Sequence, residues 1–130
     1  MSHFSKVKTK IKDKDTLLKA LVLLGEKVGL ERELKVGGKH GVGHETVQVE
    51  VNLGNDIGFR WNEEDKIYEL ITDLQTWNKP IPVQRFLEKV SQQYALQTVT
   101  KSAEEEGFTI ESIETNPQNN SIDIVATRWN

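Results

Sequence analysis

Thr46-Val-Gln-Val-Glu-Val-Asn-Leu-Gly-Asn-Asp-Ile-Gly-Phe-Arg-Trp-Asn-Glu-Glu-Asp-Lys-Ile-Tyr-Glu-Leu-Ile-Thr72 is the stretch that decides how this chain folds. Val47, Val49, Val51 and Leu53 alternate with polar residues, the period of a strand with one buried face. Gly54-Asn55-Asp56 is turn chemistry, after which Ile57, Phe59 and Trp61 share one face of a second strand. Asn62-Glu63-Glu64-Asp65 turns the chain again into a third strand ending at Thr72. Consecutive strands joined by such short turns pair antiparallel, so residues 46–72 are predicted to form a three-stranded meander.

Upstream, Val7, Thr9 and Ile11 alternate with Lys6, Lys8 and Lys10, which predicts a half-exposed strand over residues 4–11. Lysines on such a strand keep its edge from pairing with another chain. A nucleic-acid contact is disfavoured, because no aromatic residue is interleaved to stack on bases. Asp13 and Asp15 offer helix caps, and Leu17, Leu18, Leu21 and Leu24 recur at helical spacing before Gly25, predicting a helix over residues 16–24. A second strand is expected over residues 26–30, then a flexible loop over residues 37–45 built on Gly-Gly-Lys-His-Gly-Val-Gly.

Downstream, Pro80 and Pro82 delay any helix until Pro82, a favourable first helical residue. Val83, Phe86, Leu87, Val90 and Tyr94 form one apolar stripe from there. Leu96, Val99 and Ala103 are out of phase with it, so a break is expected near Tyr94 or Ala95, followed by a second helix ending at Glu104-Glu105-Glu106-Gly107. Residues 108–114 and 122–129 close the chain as a hairpin. The fold class is α+β: a mainly antiparallel sheet with two to three helices packed on one face, in a single domain spanning residues 1–130.

A chain of 130 residues with 17 basic and 20 acidic side chains and a net charge of -3 has no overall attraction to nucleic acid or anionic lipid. With no cysteine, disulfides, thiolate metal sites and thiol nucleophiles are excluded. The longest apolar run, Ala20 to Leu24, is far too short to span a bilayer, and no membrane insertion is expected.

Candidate chemistry is sparse. His40 and His44 stand four apart beside Glu45, but four apart is ligand spacing only on a helix, and a glycine loop does not pre-orient the rings. Neither nucleotide-binding glycine motif occurs, and no Ser-His-acid arrangement is recognisable. Asp73 at a strand end is the best lone acid, with turn capping through its own backbone as the simpler role. No catalytic residue, metal site or cofactor is assigned.

The tryptophans are better placed. Trp61, Trp77 and Trp129 each precede an asparagine at an element end, and Arg60 and Arg128 precede two of them. Trp and Arg are enriched where partners dock, so these five residues are the candidate protein contacts. Trp77 is preferred because it lies on a connection stiffened by two prolines; its alternative role is to plug the gap between meander and helix.

The opening Met-Ser-His-Phe-Ser-Lys-Val-Lys-Thr-Lys-Ile, the centre Ile57-Gly58-Phe59-Arg60-Trp61-Asn62 with Tyr68-Glu69-Leu70-Ile71-Thr72-Asp73-Leu74-Gln75-Thr76-Trp77-Asn78, and the closing Arg128-Trp129-Asn130 resemble the hypothetical chloroplast reading frame thirty-five family of algal plastids and cyanobacteria. The resemblance runs from end to end, departing most over residues 29–45. It implies a plastid stroma, or a cyanobacterial cytoplasm, and no particular reaction. The expected role is a non-enzymatic protein-binding or assembly component; the alternative is a small enzyme or metal-binding protein using the His40/His44 loop and Asp73.

Overall fold

The computed structural model describes residues 4–29, 32–35, 46–54, 56–115 and 122–128. Its elements are β1 (Ser5–Lys8), α1 (Lys14–Leu23), β2 (Arg32–Lys35), β3 (Thr46–Val49), β4 (Val51–Gly54), β5 (Ile57–Asn62), β6 (Ile67–Thr72), α2 (Val83–Glu105), β7 (Phe108–Thr115) and β8 (Ile122–Arg128). This is the expected α+β arrangement, and every strand pair is antiparallel. The main sheet runs β1-β6-β5-β4, while β2-β3 and β7-β8 are two-stranded ribbons.

The meander forms where its turn residues put it. Gly54 and Asp56 adopt positive φ between β4 and β5, and Lys66 does so between β5 and β6. Asn62 closes the second turn by accepting through Oδ1 from the backbone N–H groups of Glu64 and Asp65, both at 3.0 Å. Phe59 and Leu70 are then direct cross-strand partners, both fully buried. Each such side chain contributes about 1.5–3 kcal/mol through burial.

Both helices cover one face of this sheet. Asp13 caps α1, its Oδ2 accepting from the Thr16 N–H at 2.9 Å, and Leu17, Ala20 and Leu21 are buried at helical spacing. Leu17 and Leu21 share a core with Phe86 and Val90 of α2 and with Val51, Ile57, Phe59, Tyr68 and Leu70 of the sheet. On the opposite face Val47 and Val49 of β3 pack with Phe4 and Ile71. Gly58 permits that second layer: a Cβ there would lie 2.8 Å from Val49 Cγ2 and 2.7 Å from the Val51 carbonyl oxygen.

Three expectations need correction. The alternation from Val47 to Leu53 is two strands, not one, because at Glu50 the chain leaves the β2 ribbon and enters the main sheet. There the Glu50 carboxylate accepts from the Trp61 N–H at 2.8 Å, so a side chain occupies a place in the ladder. Residues 26–29 are not a strand and make a single bridge, Gly29 to Asn52; β2, at residues 32–35, carries the pairing. No break occurs near Tyr94, since α2 is one helix of 23 residues. Leu96 is rotated by roughly 120° from Val90 at 3.6 residues per turn, and it is buried because the second half of α2 meets β7 and β8 instead of the main sheet. A shift of apolar phase marks a change of partner there. The glycine loop of residues 37–45 lies outside the described residues.

An apolar groove along the second helix as candidate functional site

Of the five residues nominated as contacts, three are tied into the protein. Trp77 stacks edge-on against Phe86, 5.6 Å between ring centroids, and its indole N–H donates to the Ile81 carbonyl at 2.8 Å. It fills the space between meander and α2, the geometry of its structural alternative. Arg60 lies directly across from Glu69, whose Oε1 accepts from Arg60 Nη2 at 2.5 Å and from Nε at 3.2 Å. Glu69 is only 3% exposed, so this ion pair satisfies a carboxylate that burial would otherwise penalise. Trp61 is half-buried, edge-on to Tyr68 at 5.0 Å, with its indole N–H donating to Glu63 at 2.7 Å. Lys66 and Trp61 together hold the Glu63 carboxyl below its ordinary range. Burial pushes the Tyr68 phenol up, with Glu50, Asp13 and Asp15 adding to the effect.

Arg128 is exposed at the end of β8, with its guanidinium 5.4 Å from the Phe108 ring centroid across the ribbon. Trp129, His3, His40 and His44 lie outside the described residues. Asp73 is buried and occupied as a turn cap: Oδ1 accepts from the Gln75 N–H at 2.9 Å, and its carbonyl accepts from the Thr76 N–H at 3.2 Å. Among the described residues no group of three or more His, Asp or Glu is arranged to hold a metal ion, and no helix is long and apolar enough to cross a membrane.

The open surface lies elsewhere. A cavity of about 800 Å³ separates the end of β1 from the middle of α2, lined by Lys8, Thr9, Lys10, Ile11, Ser91, Tyr94, Ala95, Thr98 and Val99. Two smaller hollows of about 390 and 420 Å³ continue from Val99 to the ribbon, reaching Ile122, Ile124, Ala126 and Phe108. Val99 borders all three and is 50% exposed in the middle of a long helix. A contiguous apolar channel of this kind marks contact surfaces more often than scattered exposed residues do. Tyr94 supports one wall: its Oη accepts from the backbone N–H groups of Lys12 at 3.3 Å and Asp13 at 3.1 Å. The signal in the sequence is the out-of-phase Leu96, Val99 and Ala103, whose shift marks a change of partner and not a helix break.

A family model described as "Protein of unknown function (DUF1257)" matches residues 20–125. The chain is 37% identical to the uncharacterized protein ycf35 of Guillardia theta, across 99% of this chain and 98% of the relative. It is 34% identical to the ycf35 of Pyropia yezoensis over 100% and 99% of the two chains, and 33% identical to that of Cyanophora paradoxa over 99% and 98%. These relatives are encoded in plastid genomes, which implies a plastid location. No solved structure matches the chain. End-to-end similarity to the ycf35 proteins, together with the family match over residues 20–125, establishes that this chain belongs to the DUF1257 family.

Proposed function

We propose that the protein is a non-enzymatic binding or assembly component of the plastid stroma that docks a protein partner along α2. The observation that carries this reading is Val99, a β-branched apolar side chain left half-exposed where three hollows meet. A stable helix gains nothing from such a residue in water, whereas a covered Val contributes about 1.5–3 kcal/mol. Arg128, over the Phe108 ring at the far end of the channel, supplies a polar-tipped anchor of the type enriched in interfaces. Arg60 and Trp77 act behind that surface, as ion-pair and packing supports.

The test is native co-purification with tagged wild-type and Val99→Glu proteins, the fold of each checked by circular dichroism. A stoichiometric partner retained by wild type and lost by the folded variant is expected. Equal retention by both removes the groove from the reading. Stoichiometric zinc or iron in the purified protein would turn the assignment to the metal-binding alternative.

A further inference from the structure

We infer that β1 accepts an extended segment of the protein partner as an added strand, with alternate apolar side chains in the cavity beneath α2 and acidic ones beside Lys6 and Lys8. This rests on the proposed docking function and specifies the chemistry of what docks.

Three observations converge on it. First, β1 is an edge: it pairs with β6, and among the described residues no strand pairs with its outer side. Thr9 donates its N–H to the Tyr68 carbonyl at 3.2 Å and lies on the β6 side of the ladder. By the alternation of an antiparallel pair, the backbone N–H and C=O groups of Lys6 and Lys8 point away from β6, to the open edge. Second, the 800 Å³ cavity is bounded by the end of β1 on one side and Tyr94, Ala95 and Val99 on the other. It lies on the helix-bearing face, where Val7 and Ile11 also point. A strand placed beside β1 would send every second side chain toward it.

Third, the side chains of β1 that alternate with Val7 are basic, with Glu69 of β6 directly across from Lys8. Lys6, Lys8 and Lys10 are all exposed, and among the described residues only Lys8 has an acidic partner, Asp65 at 2.7 Å. Lysines on an edge bar pairing with a neutral or basic strand, including a second β1, whose own lysines would face them. An acidic strand meets the opposite condition. The edge is thereby selective: main-chain hydrogen bonds supply affinity, and the alternating side chains decide which segment is accepted.

The experiment uses the full chain, isotope-labelled for NMR, and three ten-residue peptides: alternating Asp and Val, alternating Lys and Val, and the Asp–Val composition in blocks. The Asp–Val alternating peptide is expected to bind and to slow hydrogen exchange at the Lys6 and Lys8 amides about tenfold or more, with the Lys–Val and block peptides inactive. The Lys6→Glu/Lys8→Glu/Lys10→Glu protein should bind it about tenfold more weakly or worse, and the wild-type affinity should fall as salt rises. Binding without amide protection would overturn strand addition. So would protection already present in the free protein and unchanged by peptide, which assigns the edge to another part of this chain, or protection that tracks dimerisation in sedimentation, which assigns it to a second copy. In co-purification, a partner lost by Val99→Glu and retained by the lysine variant leaves groove docking standing and strand addition refuted; retention by both refutes the two together.

Discussion

The β5–β6 and β7–β8 hairpins are made alike and kept differently. Both are antiparallel, and each carries an Arg-Trp pair in the sequence at the end of one strand, at residues 60–61 and 128–129. Yet β5–β6 is covered on both faces, by the helix core through Phe59 and Leu70 and by Val49 against Gly58. The β7–β8 ribbon leans on α2 and leaves Ile113 and Val125 at 43% and 51% exposure. An isolated two-stranded ribbon is marginal in water, so β7–β8 owes its order to α2 while β5–β6 holds the rest of the fold. The difference separates a load-bound hairpin from one with surface to spare, and the groove opens on the second.

Core truncation should separate the two hairpins most. Phe59→Ala is expected to cost about 3–5 kcal/mol in urea unfolding, whereas Val125→Ala should stay within about 0.5 kcal/mol. Similar losses at the two positions would mean that the outer face of β7–β8 is covered in solution. The two arginines offer a smaller contrast. Arg60→Ala strands the buried Glu69 carboxylate and should cost about 2 kcal/mol, less than a fully buried pair because the Arg60 side chain is 32% exposed. Arg128→Ala, losing only an exposed contact with Phe108, should be within about 0.5 kcal/mol.

What could be read from residues alone follows the same division. The meander announced itself because its first turn carries Gly54, which tolerates the positive φ there, and its second carries Asn62, whose side chain accepts the turn amides, while Ile57 and Phe59 keep strict alternation. Alternation does not report a change of layer, so Val47 and Val49 looked continuous with Val51 and Leu53 although Glu50 divides them between two cores. β2, Arg-Glu-Leu-Lys, has one apolar residue in four and no pattern to detect. In α2 the pattern was visible but ambiguous, since a helix that changes partners and a helix that breaks shift phase alike. Trp77 illustrates the limit for sites: its place on the connection that carries Pro80 and Pro82 suits an anchor, and its environment depends on Phe86 and the Ile81 carbonyl, brought in by tertiary packing.

A small effect is expected on pH dependence. Hydrogen bonds from the Thr16 hydroxyl and backbone N–H hold the Asp13 carboxyl below its ordinary range. A depressed carboxyl stabilises the fold above its unfolded pKa, and the contribution is lost as pH falls through the folded value. Asp13→Asn keeps an N-cap while removing the titration, so it should flatten the acid limb of the stability profile and change neutral stability by under about 1 kcal/mol. Tyr68 acts at the other end: its raised phenol favours the fold below its unfolded pKa and loses that contribution as alkaline pH passes the folded one. An unchanged acid limb in Asp13→Asn would remove Asp13 from the acid dependence of the fold.

The Tyr94 phenol turns the cavity wall into a gauge. Tyr94 lines the hollow and its oxygen holds the Lys12 and Asp13 amides across 82 and 81 positions of chain. Whatever fills the hollow presses on that ring, and two amide signals at the head of α1 register the displacement with no label attached. A titration that follows those two resonances therefore reads occupancy from inside the protein, and Tyr94→Phe, which keeps the wall and drops the oxygen, silences the readout while leaving the space to be filled.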